Sequence, residues 1–206
     1  MNPDATIAAS QPTTQERGVF GCTDLFGVPV CDSQKSAQMA AGNGEQAIYT
    51  PEALAEIIVA HFKPTGRICE PCRGAGAFVK AMPGCDWYEK ADGKDFMLAE
   101  GRWDWIVTNP PWNDVANFLR KSMRHADNVV MLCWASAWWT KARQREIREQ
   151  GFGMVEMCFV PTPPPPWPQS GFQLAAVWLR RGWTGSTLLR TPNAKIQPAS
   201  EPKILP

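Results

Sequence analysis

Apolar positions in this chain follow two rhythms. At helical spacing, Leu54, Ile57, Ile58 and Phe62 fall on one face, in a segment opened by Tyr49-Thr50-Pro51, so a helix is predicted with Pro51 in its first turn. Short dense runs give the second rhythm. "GRICEP", "CDWYE", "WDWIVTN" and "NVVMLCW" each read as a strand, with helical segments near 77–82 and 115–125 between them. Strands alternating with helices predict an α/β fold with a parallel sheet. A helix over about 139–150 then leads to "MVEMCFV" and "QLAAVWLRR". These two predict a hairpin at the sheet edge, with "PTPPPPWPQSG" as its extended connection. Residues 1–44 are rich in Ala, Ser, Thr, Gln, Gly and Asp, and only "VFGCTDLFGVPV" among them can pack, which predicts a flexible arm. Residues 184–206 hold prolines and serines without a sustained period and predict a flexible tail. The expected domain is 45–183.

Composition narrows this little further. A chain of 206 residues with 44% hydrophobic content can bury one core. Its net charge of +1 supplies no global field, so any contact with a polyanion must be local. Seven scattered cysteines, and an N-terminus without a basic region followed by an apolar run, argue against a secreted disulfide framework and predict a reducing cytoplasm. The longest uncharged apolar stretch, "NVVMLCWASAWWT", is shorter than the ~18 residues a spanning helix needs, so no membrane segment is expected.

Candidate chemistry begins at "ICEPCRGAGAF", where Glu70 closes a strand and Gly74 and Gly76 form the turn before a helix. Glycines there let backbone approach a ligand and present helix-start N–H groups. The acid precedes the glycines, and the spacing is not G-x-G-x-x-G. That suits a ligand bearing a positive amine and hydroxyls better than a pyrophosphate; a plain tight strand-to-helix connection is the other reading. Cys69 and Cys72 make a C-x-x-C, but there is no second pair, and His61 and His125 are the only histidines. They read as small residues filling the turn, and no metal is expected.

The stretch "DWIVTNPPW" delivers Asn109, Pro110, Pro111 and Trp112 from the end of a strand. Two consecutive prolines fix the backbone and aim its carbonyls. An exocyclic amine on an aromatic base is a poor nucleophile because its lone pair is delocalised into the ring. If the Asn109 side-chain oxygen and the Pro110 carbonyl each accept one of its N–H bonds, the nitrogen moves toward tetrahedral geometry and the lone pair is freed. Trp112 would offer a flat face to a base drawn from its stack. Alternatively the motif is a rigid turn with Trp112 in the core.

Together "ICEPCRGAGAF" and "DWIVTNPPW" resemble the S-adenosylmethionine-dependent amino-methyltransferases, in particular the DNA N6-adenine methyltransferases, over about residues 49–181. The resemblance implies a three-layer, Rossmann-like class I methyltransferase fold, with a mostly parallel seven-stranded sheet and an antiparallel edge hairpin. It implies that Asn109, Pro110, Pro111 and Trp112 are catalytic. Glu70, Pro71, Gly74, Gly76 and Phe78 would surround the methionine part of S-adenosylmethionine, and Tyr49, Thr50 and Pro51 would lie near its carboxylate. Glu89 would bind the ribose hydroxyls, and Asp95 and Phe96 would hold the adenine. The gap between glycine turn and Asn-Pro-Pro-Trp leaves no room for a target-recognition domain.

Beyond the fourth strand, "WASAWWTKARQREIREQG" carries Trp138, Trp139, Lys141, Arg143 and Arg145, which suit stacking and phosphate contact; an amphipathic helix with docked tryptophans is the competing reading. Trp167, in the proline loop, either lines the same cleft or belongs to a partner-binding segment. The expected activity is methyl transfer to the N6 amine of adenine in DNA with short or relaxed specificity. The alternatives are RNA adenine, a protein glutamine amide, or a binding module without catalysis.

Overall fold

The structure, a computed structural model, describes residues 48–169 and 173–192. Helix α1 (Glu52–Phe62) starts where Pro51 takes φ −63° and ψ 145°, and the Pro51 carbonyl accepts the amides of Leu54 and Ala55, each at 3.1 Å. Next come β1 (Ile68–Glu70), α2 (Ala77–Ala81), β2 (Asp86–Trp87), β3 (Trp103–Thr108), α3 (Val115–His125) and β4 (Ala126–Trp134). Helix α4 (Lys141–Glu149) follows, then β5 (Phe152–Phe159), β6 (Leu174–Arg181) and β7 (Leu188–Arg190). The seven strands form one sheet in the order β2-β1-β3-β4-β6-β5-β7. Strands β1 to β4 are parallel neighbours; β6 runs antiparallel to both β4 and β5, and β7 pairs parallel with β5.

Three layers follow from how the strands divide their side chains. Val107, Val130 and Leu132 pack with Leu54, Ala55, Ile58 and Phe62 of α1 and with Ala77 and Phe78 of α2. The residues that alternate with them, Ile106, Val129, Met131 and Cys133, pack with Val115, Leu119 and Met123 of α3 and Ile147 of α4. Strands buried on both faces read as continuous apolar runs, which is why "WIV" and "VVMLC" carry no polar alternation. The predicted helices and the first six strands are therefore in place, and the α/β class holds.

The tail prediction needs correcting. Leu188–Arg190 form β7, so order extends beyond the expected boundary at 183. Its three residues are all exposed and no flanking pattern announces a strand. Residues 1–44 of the expected arm and 193–206 of the expected tail lie outside the described residues. A bulge between Met154 and Glu156 interrupts the β5–β6 register, and the buried Glu156 carboxylate is held by His61 from α1, with Arg190 from β7 at 3.6 Å. No described helix is long and apolar enough to cross a membrane.

Candidate active site

The carboxyl ends of β1, β3 and β4 lie side by side, because these strands are parallel neighbours. In open α/β sheets that edge is where ligands bind. Here it receives Glu70 with the glycine turn, Asn109-Pro110-Pro111-Trp112, and Trp134.

Hydrogen bonds tie the motifs to one another. Thr108, the last residue of β3, donates its hydroxyl to Glu70 Oε1 at 2.6 Å, and the Cys72 amide donates to the same oxygen at 2.9 Å. Cys72 Sγ lies 3.3 Å from Thr108 Oγ1. Since the threonine proton is already committed to Glu70, the thiol is the donor in that contact. Burial pushes both Cys69 and Cys72 thiols up, the reverse of what a redox pair or metal thiolate needs. Glu70 is 1% exposed, and its other oxygen, Oε2, has no partner among the described residues.

One layer further out, Glu89 accepts the Gly74 amide at 2.8 Å and the Ala91 amide at 3.3 Å, so the acid after β2 braces the glycine turn. Each of its oxygens retains one lone pair. Gly74 (φ 51°) and Gly76 (φ 89°) both sit in the left-handed region. They differ in surroundings: a Cβ on Gly74 would stand 2.8 Å from the Tyr49 ring, whereas one on Gly76 would meet nothing within 4 Å. Open space at this turn therefore lies beside Gly76, and Tyr49 roofs Gly74. Pro71 is buried behind the turn.

Asn109 is held at both ends of its carboxamide. Nδ2 donates to Thr50 Oγ1 at 3.0 Å, and Oδ1 accepts the Trp112 indole N–H at 3.0 Å. A hydroxyl can pair with either end of an amide, but an indole only donates. Trp112 thus dictates that Oδ1, not Nδ2, faces its side, and one Oδ1 lone pair stays available. The Trp112 ring is half-buried, with Trp134 at 5.5 Å and Trp167 at 5.8 Å between ring centroids, both edge-on. Sequence reasoning singled out Asn109 and Trp112 without seeing this bond between them; an Asn followed at i+3 by a residue carrying an N–H was the available signal. Thr108 was missed as a site residue altogether.

Several expected site residues have partners of their own. Phe96 is 2% exposed and packs beside Tyr88, Trp103 and Phe118, and Phe78 is buried against α1, so both rings pack in the core. Asp95 caps its own turn by accepting the Met97 amide at 2.8 Å. Trp138 is fully buried, and Arg143 is paired with Glu146 at 2.7 Å. Trp139, 54% exposed, and the exposed Lys141 and Arg145 remain on the surface, with Arg145 at 3.6 Å from Glu149.

Burial pushes the Glu70 carboxyl up to about 8, against the pull of the Thr108 and Cys72 hydrogen bonds and with the Glu89 charge adding to the rise. Between its ordinary value and about 8 the native state therefore keeps a proton that the unfolded chain has lost, so this group's contribution to stability falls as pH rises through that window. Glu70→Gln cannot titrate. The denaturation midpoint of the wild type, measured against that variant without ligand, should fall progressively from about pH 5 to about pH 8.5; a constant difference would show Glu70 ionised throughout.

No family model matches the chain, and no curated protein matches it. Solved structures do. A candidate class I S-adenosylmethionine-dependent methyltransferase from Listeria monocytogenes is similar over 79% of this chain and 72% of that one, at 12% identity and a TM-score of 0.51. A modification subunit of a candidate type I restriction enzyme from Vibrio vulnificus is 13% identical over 77% of this chain and 49% of that one, with a TM-score of 0.49. A candidate RNA methyltransferase from Pyrococcus horikoshii is 13% identical over 73% of this chain and 99% of that one, with a TM-score of 0.47. Identities this low establish architecture alone. The fold is that of the class I methyltransferases.

Proposed function

We propose that this chain binds S-adenosylmethionine at the glycine turn and transfers its methyl group to the N6 amine of adenine in DNA, as an N-P-P-W amino-methyltransferase. The observation that carries this reading is the Asn109 carboxamide, fixed between Thr50 and Trp112 with an oxygen lone pair to spare, one residue from the Glu70 partner Thr108.

The residues at the turn fit the cofactor. A buried carboxylate oxygen without a partner, Glu70 Oε2, suits an ammonium group, whose charge would offset the cost of ionising Glu70. Space at Gly76 admits a ligand chain, and Glu89 retains acceptor capacity for hydroxyls. S-adenosylmethionine held there would supply an electrophilic methyl group, its sulfonium becoming the thioether of S-adenosylhomocysteine, and the methylated amine would release its extra proton to solvent. The protein's part is geometric: Asn109 Oδ1 and the Pro110 carbonyl accept the two amine N–H bonds and pull the lone pair out of conjugation. Trp112, at the same corner, supports the base.

A nucleobase is favoured over a glutamine side chain by the flat, half-buried indole of Trp112 beside Asn109. Lys141 and Arg145 would contact phosphates, which position without specifying, and Trp139 would stack on a base. Target preference is therefore short or relaxed, and binding weakens steeply with salt. Purified protein incubated with tritiated cofactor and DNA, RNA or protein acceptors should label DNA, with the label in N6-methyladenine after digestion to nucleosides. Label confined to RNA or protein would overturn the substrate, and no label in any acceptor would overturn the reading.

A further inference from the structure

The proline-rich connection between β5 and β6 is the part of the chain that the expected chemistry does not use. Its residues 161–169 are nonetheless a built element. Gln169 donates through Nε2 to the Pro163 carbonyl at 2.8 Å and to the Trp167 carbonyl at 2.6 Å, and the Trp167 amide closes a turn onto Pro164 at 3.3 Å. That staple drives Trp167 inward until it is 5% exposed. The indole then does two things at once. Its N–H donates to the Tyr49 carbonyl at 3.3 Å, and its ring lies edge-on to Trp112 with centroids 5.8 Å apart.

We propose that Trp167 is a positioning residue that couples the cofactor-facing segment Tyr49-Thr50 to the acceptor-facing residues Asn109 and Trp112. This inference rests on the function proposed above. Both routes from Trp167 converge on one carboxamide. Through Tyr49 it holds the backbone that carries Thr50, whose hydroxyl accepts Asn109 Nδ2; through Trp112 it braces the indole whose N–H fixes Asn109 Oδ1. Tyr49 also roofs Gly74, so the same tie reaches the glycine turn. Trp134 also lies edge-on to Trp112, so two indoles contact that ring. Packing of this kind restricts ring rotation more than it adds hydrogen-bond energy, so its effect belongs to alignment of the amine acceptor. A proline-rich backbone suits the task because it presents Trp167 from a segment with few accessible conformations.

The two routes separate by substitution. Trp167→Phe keeps a ring against Trp112 and loses the bond to Tyr49; Trp167→Ala loses both. In ligand-free protein, amide hydrogen exchange should quicken at residues 50–55 in both variants and at 111–116 only in Trp167→Ala. S-adenosylhomocysteine binding, followed by calorimetry, should weaken about fivefold in both, the scale of one neutral hydrogen bond. Single-turnover methyl transfer at saturating cofactor should slow at least tenfold in Trp167→Ala and be largely restored in Trp167→Phe. Combined with Trp112→Phe, Trp167→Ala should slow single-turnover transfer by less than its tenfold effect alone, because the Trp112 route is already broken, while the loss of affinity through Tyr49 should persist. A purely structural tryptophan would instead lower the melting temperature while leaving affinity, single-turnover rate and local exchange at wild-type values, and that result would overturn the coupling. A wild type that binds no S-adenosylhomocysteine removes the proposed function instead, and the exchange pattern then decides whether the tie exists.

Discussion

Asn109→Ala should lose methyl transfer by about 10²–10³-fold, ~2.7–4 kcal/mol, while binding S-adenosylhomocysteine within a few-fold of wild type. The size follows from removing a preorganised acceptor that acts on the amine only as its geometry changes. The separation from binding follows from where Asn109 sits: its partners are Thr50 and Trp112, while Gly74 is braced by Glu89, and Glu70 by Cys72 and Thr108. Asn109→Asp sharpens the test. A carboxylate still accepts the Trp112 N–H and, with the Thr50 hydroxyl reversed as donor, can still accept from the amine, so it should retain more activity than alanine. Wild-type turnover in Asn109→Ala would remove the residue from the reaction.

Trp138→Ala should destabilise the fold by roughly 3–5 kcal/mol, the range for deleting a buried large aromatic side chain. Trp138 is 0% exposed and packs in the core cluster that also contains Ile147 of α4. Its neighbour Trp139 is 54% exposed, and Trp139→Ala should leave stability almost unchanged while weakening DNA binding. Chemical denaturation and a binding titration on both variants distinguish these roles. A Trp138→Ala protein of wild-type stability that fails to bind DNA would return Trp138 to the interface.

The adjacent tryptophans show what the sequence could and could not convey. "AWWT" announces two large aromatics beside a basic helix, and composition treats them alike. A short helical turn over Ala135–Trp138 sends one indole inward and leaves the next outside, and no periodicity spans so short an element. The same limit hides the burial of Phe96 and Phe78, which lie in short elements. By contrast the strand that leads to Asn109 was legible, because burial on both faces keeps its second half apolar, at Trp105, Ile106 and Val107. The turn chemistry was legible too, since few residues other than glycine adopt the φ values of Gly74 and Gly76. What connects the motifs was not. Thr108 to Glu70, Thr50 to Asn109 and Trp167 to Tyr49 span 38, 59 and 118 positions, and only the assembled sheet brings such partners together.

Strand β7 is three residues long and wholly exposed, yet it borders the longer β5 along Glu156, Met157 and Cys158. An unpaired strand edge is a template for another copy's edge, and β5 would be an inviting one, being apolar and buried along most of its length. Leu188–Arg190 therefore act as a selvedge. A chain trimmed to the boundary suggested by composition, at 183, would keep every residue of the candidate active site and still lose the finish on its sheet. It would also lose Arg190, the cation beside Glu156. Self-association through β5, rather than impaired chemistry, is the failure such a fragment invites.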